Sequence, residues 1–257
     1  MRLIDNPRGN YRFLTGIAPY SSGVVAIPGF EIVHVNLQQP IAYLEGFERI
    51  VRHLTAADRP IHALCSIELR LPTPLSFEGF TTFNNEYQQV LADRDLMLDD
   101  RNPIARTNIA PAVQAPEEPS LYAFAYSVPS ANENIRPTFI VAGAGDLHDQ
   151  GNLSPDAIVR PNEATDEALC EKAAVVMQVI QARLDGLQVS WAATTTIDVY
   201  TIHSVHPFLV DTLLARMDKA AIHGVHWHFS HPPIEGLVFE MDLRGIRDEK
   251  WIDPGTM

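Results

Sequence analysis

The sequence predicts an α+β fold of two tandem units, residues 1–128 and 137–257, each a mixed β-sheet with two helices on one face. Three observations support this prediction. The order strand, long helix, strand, second helix and two closing strands occurs twice. The helical segments have one apolar face, which a sheet would cover. The stretch 128–134 between the units is polar, as expected of a linker.

In the first unit, strands are predicted at 11–16, 22–27, 30–37, 62–71, 104–109 and 120–125. Residues 41–54 predict a helix because apolar side chains recur there at spacings of three and four. A second helix is predicted from Ser76 to residue 91, since serine favours the N-cap position.

In the second unit, strands are predicted at 138–142, 192–202, 224–229 and 237–242. Residues 165–184 predict a long helix, which Thr165 and two acidic residues open. Pro207 suits the first turn of a last helix over 208–220. Each sheet then has one uncovered face, and we expect association of units to bury it in a homo-oligomer.

Composition excludes several classes of function. A net charge of −13 argues against general nucleic-acid binding and against an anionic membrane surface. No apolar run approaches the roughly 20 residues of a membrane span, and the N-terminus lacks a signal-peptide pattern, so we expect a cytoplasmic protein. Cys65 and Cys170 lie in apolar patterns that predict packed, reduced thiols.

Two charged residues stand out as candidates for catalysis. Arg106 begins a predicted strand, and its guanidinium can bind a carboxylate through two parallel hydrogen bonds. Glu240 alternates with apolar neighbours, so its carboxylate leaves the apolar face and can hold or activate a water. The structural alternatives are a salt-bridged surface arginine and a glutamate that pairs across strands.

Further candidates have weaker signals. Tyr20 lies in a predicted turn, Asn84 in the second helix, and Gly143 at the end of a strand, where its amide can approach a ligand. Each also fits an ordinary role as a packed aromatic, a solvated helix residue or a turn glycine. No nucleotide-binding or nucleophile motif accompanies them, and no cofactor is predicted.

The histidines need separate treatment. His223, His226 and His228 fall close together, and the last two project to one face of a strand. Their spacing fits no standard zinc motif, so we predict no metal site. They are instead exposed side chains or pocket residues that help to position an anionic substrate.

The motifs of the chain resemble those of the Rid (YjgF) family, small proteins that form trimers with a ligand pocket in each interface. APYS at 18–21 resembles the family's GPYS turn, and IARTN at 104–108 resembles its PAR[ST]C strand. FIVAG at 139–143 resembles the strand that ends in SGQ, and VFEMD at 238–242 resembles the final strand that carries a glutamate. The resemblance covers nearly the whole chain as two diverged copies.

The resemblance implies hydrolysis of an enamine or imine carboxylate to an oxo acid and ammonia without a cofactor. Arg106 would bind the substrate carboxylate, Tyr20 and Asn84 would line the pocket, and Asn108 replaces the family's usual cysteine. Gly143 and Glu240 would come from the other copy and place the water. Neither copy alone carries both the arginine and the glutamate, so a complete site requires the two halves to meet.

Among the activities of this fold, 2-aminomuconate-type deamination in aromatic catabolism suits a diverged, histidine-rich pocket. In that hypothesis Arg106 binds one carboxylate and a histidine meets the second. Two alternatives stay open: a chorismatase-like enzyme acting on a dicarboxylate, and a non-catalytic binder of small anions. The expected assembly is a trimer of tandem units, and the expected partner is a small carboxylate substrate.

Overall fold

A computed structural model of the chain describes residues 1–130 and 136–257, so part of the predicted linker lies outside the described residues. The strands are β1 (Leu3–Asn6), β2 (Tyr11–Leu14), β3 (Gly23–Ala26), β4 (Phe30–Ala42), β5 (Leu64–Arg70), β6 (Ala105–Pro111), β7 (Ser120–Pro129), β8 (Phe139–Gly145), β9 (Thr196–Tyr200), β10 (His226–His228), β11 (Ser230–His231), β12 (Glu240–Gly245) and β13 (Asp248–Ile252). The helices are α1 (Tyr43–Ala56), α2 (Phe77–Asp93), α3 (Asp166–Leu187) and the single turn α4 (His206–Phe208).

The described residues form four layers. One sheet has the order β1-β2-β3-β8-β12-β9-β10 and the other β11-β6-β5-β7-β4-β13. The apolar face of α3 packs on the first sheet, and α1 and α2 pack on the second. The inner faces of the sheets meet in a third apolar cluster that joins residues of both, including Tyr11, Ile32 and Ala105. Because the sheets cover each other, their inner faces do not require a second copy of the chain.

The predicted fold of two self-contained tandem units is wrong. Strands from each half complete the sheet of the other: β3 pairs with β8, β13 with β4, and β11 with β6. Hydrophobic periodicity predicts which face of a strand is buried, but it carries no information about which strand edge supplies the hydrogen-bonding partner. The architecture is therefore a mixed two-sheet α+β fold in which both halves build both sheets.

The last predicted helix, 208–220, is also different in the structure. The chain there forms α4, a π-turn at Leu209–Leu213 and two 3₁₀ segments at Leu214–Arg216 and Asp218–His223. Phe208, Leu213 and Met217 are nevertheless buried in the cluster beneath α3. Among the described residues, α3 is therefore the one long helix that covers the first sheet. None of the described helices is long and apolar enough to cross a bilayer.

The packing of the two sheets places residues of the two halves side by side. A Cβ added at Gly143 on β8 would lie 3.1 Å from Thr107 Cγ2 on β6, so these strands are in close contact. The turn before β3 joins this contact, since Ser21 N donates a hydrogen bond to Ile104 O at 3.0 Å. Arg106, Gly143 and the neighbouring strand β12 therefore meet inside one chain.

Candidate functional site

Arg106 lies in a buried aromatic setting at the edge of the second sheet. Its side chain leaves β6 toward α2, and its Cζ lies 4.5 Å from the centre of the Tyr87 ring and 4.9 Å from that of Tyr20. Nη2 donates a hydrogen bond of 2.5 Å to Asn84 Oδ1 on α2. Burial lowers the pKa of the guanidinium from its ordinary value, because the charged form loses solvation.

Several buried polar atoms around Arg106 have no hydrogen-bond partner among residues 1–130 and 136–257. They are Nη1 of Arg106, Nδ2 of Asn84, and both amide atoms of Asn108. Buried polar groups in proteins are almost always paired, and this cluster of three donors and one acceptor needs a ligand or water to satisfy it. The cluster therefore indicates a binding place for an acceptor group such as a carboxylate.

Glu240 faces this place from the other sheet. It is the first residue of β12 and pairs with Gly145 on β8. A Cβ at Gly143 would overlap with Oε1 of Glu240, so only a glycine leaves room for the carboxylate here. Burial and the nearby Asp242 raise the pKa of Glu240 well above its ordinary value, while Arg183 and Arg106 oppose this shift. The carboxyl group is thus poised to hold a proton and to return one.

The arginine and the glutamate line one cavity. Tyr20, Arg106, Asn108, Gly143 and Glu240 form its polar side, and an apolar wall closes it, formed by Phe80, Leu147, Leu153, Ile234 and Leu237. Its free volume is about 30 Å³, room for one water. A second cavity of about 310 Å³ adjoins it and shares Tyr20 and Gln150 as lining residues.

The structure thus brings together six of the residues singled out in the sequence: five line the cavity, and Asn84 binds the guanidinium of Arg106. Both halves of the chain contribute to it. The three histidines do not join this site, contrary to the hypothesis that one of them meets a second substrate carboxylate there. His226 and His228 lie on β10, an edge strand that is separated by β9 from the strand of Glu240, β12.

His226 and His228 belong to a separate ion-pair network between the sheets. Both approach Oδ1 of Asp198, at 3.3 Å from Nδ1 of His226 and 3.0 Å from Nε2 of His228. Arg244 donates to the other carboxylate oxygen of Asp198 at 2.5 Å and to Glu249 Oε1 at 2.8 Å. These residues line a cavity of about 180 Å³ that shares no lining residue with that of Arg106.

His223 lies apart from both groups. It lines a surface cavity formed by the segments 136–138, 192–195 and 245–247. Among the described residues, no group of three or more His, Cys, Asp or Glu side chains is arranged to hold a metal ion.

Sequence reasoning missed Arg183, which lies directly behind the strand that carries Gly143. Its Nη1 donates to the carbonyl oxygens of Ala142 at 2.7 Å and of Gly143 at 3.0 Å. The sequence pattern does indicate this residue, because Arg183 occupies a position on the apolar face of α3 between Ile180 and Leu187. A charged residue on a buried helix face indicates a specific polar partner.

The chain is similar to known proteins along nearly its whole length. Residues 3–250 match the family model described as 2-aminomuconate deaminase CnbZ. The chain is 37% identical over 237 residues to the 2-amino-5-chloromuconate deaminase of Comamonas testosteroni, covering 92% of this chain and 94% of that protein. A crystal structure of a chorismatase aligns with 94% of this chain and 78% of its own, at 12% identity and a TM-score of 0.44. The chain belongs to the CnbZ family of 2-aminomuconate deaminases.

Proposed function

We propose that this chain hydrolyses an enamine carboxylate of the 2-aminomuconate type to the 2-oxo acid and ammonia, at the cavity of Arg106 and Glu240. Deaminase activity follows from the family and from the relative that covers nearly the whole chain. The observation that carries the location is the unpartnered, buried Nη1 of Arg106 in the same cavity as the Glu240 carboxyl group.

The reaction needs one proton donor and one water. Protonation of the enamine at carbon converts the C–N bond to an iminium. Water then adds to the iminium carbon and loses a proton, and the tetrahedral adduct expels ammonia to leave a C=O group. The sum is substrate plus water to oxo acid plus ammonia, so no oxidant or reductant is consumed.

Glu240 is suited to both proton transfers. Its raised pKa keeps the carboxyl group protonated toward neutral pH, so that it can donate to the enamine carbon. The carboxylate that remains can accept a proton from the attacking water. Reuse of one group as acid and then base is common in hydrolysis, and general acid–base catalysis contributes roughly 10²- to 10⁴-fold.

Arg106 is suited to hold the carboxylate next to the reacting carbon. Asn84 fixes one side of the guanidinium, and the unpartnered Nη1 remains for the substrate. The rings of Tyr20 and Tyr87 limit its movement. The amide of Asn108 faces the same cavity and offers both a donor and an acceptor to the amino group or the water.

The test is ammonia release from freshly generated 2-aminomuconate by the wild type, Arg106→Ala and the exposed control Arg216→Ala. We expect kcat/KM to fall by roughly 10- to 100-fold or more in Arg106→Ala, since a charged hydrogen bond contributes about 1.5–3 kcal/mol. The control should match the wild type. Absence of ammonia release by the folded wild type would favour the non-catalytic anion binder, and release of pyruvate from chorismate would favour the chorismatase alternative.

A further inference from the structure

We propose that Arg183 binds the second carboxylate of the substrate, so that one six-carbon dicarboxylate extends from Arg106 in the first cavity to Arg183 in the second. This inference rests on the proposed function and deepens it, because it assigns the residue that selects dicarboxylates. The histidines near Asp198 line a different cavity, which shares no lining residue with that of Arg106.

The first cavity is too small to hold a six-carbon substrate by itself. About 30 Å³ accommodates a water, whereas ligand pockets generally span about 300–1,000 Å³. The adjoining cavity of about 310 Å³ provides the missing space, and Tyr20 and Gln150 line both. Among the described residues, the side chain of Gln150 is held by bonds from Nε2 to the carbonyl oxygens of Gly145 at 2.8 Å and Leu147 at 3.2 Å. We expect rotation of this side chain to join the two cavities when the substrate binds.

Arg183 is a lining residue of the second cavity and is only 2% exposed. Its Nη1 binds two backbone carbonyls, while its buried Nε has no hydrogen-bond partner in the described part of the chain. No carboxylate in residues 1–130 or 136–257 forms an ion pair with it. A buried guanidinium without a carboxylate partner is costly, and an anionic ligand removes that cost.

Gly143 relates the two guanidinium groups, because it lines the first cavity with Arg106 and Glu240 and its carbonyl oxygen accepts a bond of 3.0 Å from Nη1 of Arg183. Tyr20 lines both cavities; burial raises the pKa of its hydroxyl, and the positive charges of Arg106 and Arg183 oppose this shift. A ligand held by both arginines therefore passes the Glu240 carboxyl group. Binding of both carboxylates also fixes where the enamine carbon of the substrate lies, whereas a single carboxylate contact leaves the other end free.

The experiment uses two stable probes that differ in one carboxylate. Muconate carries a carboxylate at each end of a six-carbon diene, and sorbate carries only one. Calorimetry would compare their affinities for the wild type, Arg183→Gln, Arg106→Ala and the exposed control Arg216→Gln. We expect the wild type and the control to bind muconate roughly 10- to 100-fold more tightly than sorbate, as one charged contact provides.

Arg183→Gln should remove this preference and leave sorbate affinity within about threefold, whereas Arg106→Ala should weaken both probes. Equal affinities of the wild type for the two probes, or an equal loss of both in Arg183→Gln, would overturn the assignment. If Arg183→Gln does not fold, the ratio of muconate to sorbate affinity is measured in Arg183→Lys instead. Lysine keeps the positive charge but loses the planar guanidinium that binds a carboxylate through two parallel hydrogen bonds. Ammonia release by the wild type is measured separately, so failure of the proposed function is distinguishable from failure of this inference.

Discussion

Asn84 Oδ1 accepts a hydrogen bond of 2.5 Å from Arg106 Nη2, and no other side chain in the described part of the chain bonds to this guanidinium. The partner is a neutral amide, although a carboxylate would neutralise the buried charge. A neutral partner orients the guanidinium and leaves its charge for the substrate. Positioning and charge are therefore supplied by different residues.

Asn84→Asp separates these two roles, because it keeps the shape of the side chain and adds a negative charge. We expect greater stability in urea denaturation, since Arg106 gains an ion-pair partner in a buried setting. We also expect kcat/KM for ammonia release to fall by roughly 10- to 100-fold, because the new carboxylate competes with that of the substrate. Asn84→Ala is the control, and an Asp variant as active as the wild type would contradict the role of Arg106.

Glu240→Gln should lower kcat by roughly 10²-fold or more, because glutamine can neither donate nor accept the required proton. It should also stabilise the protein at neutral pH. The pKa of Glu240 is raised in the folded state, so above the ordinary value near 4.5 the unfolded chain releases a proton that the folded protein keeps. The free energy of unfolding of the wild type then falls as pH rises, by up to about 1.4 kcal/mol per pH unit.

The measurement for Glu240→Gln is thermal or urea unfolding at several pH values between 4 and 9, with kcat at the same points. The exposed Glu235→Gln is the matched control. The stability gained by Glu240→Gln should grow as the pH rises above about 4.5 and level off once the pH passes the folded pKa, and a gain that does not change with pH would disprove the raised pKa.

Gly143→Ala tests how closely the backbone of β8 approaches the carboxyl group. The added Cβ would overlap with Oε1 of Glu240, so the carboxyl group must move away from the cavity. We expect kcat to fall at least tenfold while the enzyme stays folded, as measured by ammonia release and circular dichroism. Gly79→Ala is the control. A Cβ added at Gly79, in the first turn of α2, would have Ser76 Oγ as its nearest neighbour, at 3.2 Å. Unchanged kcat in Gly143→Ala would place the reaction elsewhere.

The sequence was sufficient to single out Arg106, Gly143 and Glu240 as candidates, because they lie in the short motifs that resemble those of the Rid family, and their roles in the reaction stay a prediction. It was not sufficient to assign strands to sheets. The pairing of β3 with β8 depends on which backbone edge is free, and side-chain periodicity does not encode that. The expectation that a histidine lies beside Arg106 fails for a related reason. Residues 223–228 are close to one another along the chain, but this implies nothing about their distance from Arg106.

Arg244 should stabilise the fold and have no role in the reaction. It binds the carboxylates of Asp198 and Glu249, and its substitution by methionine would leave both without their strongest partner. We expect Arg244→Met to lower the free energy of unfolding by about 3–5 kcal/mol. The kcat/KM per folded enzyme should stay within twofold of the wild type, as determined with active protein corrected for the unfolded fraction. A specific loss of kcat would instead include the cavity lined by Asp198 and Arg244 in the active site.

His226→Asn also tests whether the ion-pair network around Asp198 is separate from the reaction. Asp198 raises the pKa of His226 above its ordinary value of 6.5, so the pair stabilises the fold fully below that value and loses its effect as pH rises through the folded pKa. The side chain is 64% exposed, which limits the effect to at most about 1 kcal/mol. Urea denaturation should therefore show a small loss of stability at about pH 5.5 and none at about pH 9. Ammonia release should be unchanged at both, because His226 shares no cavity with Arg106; a pH-independent loss of activity would return this histidine to the site.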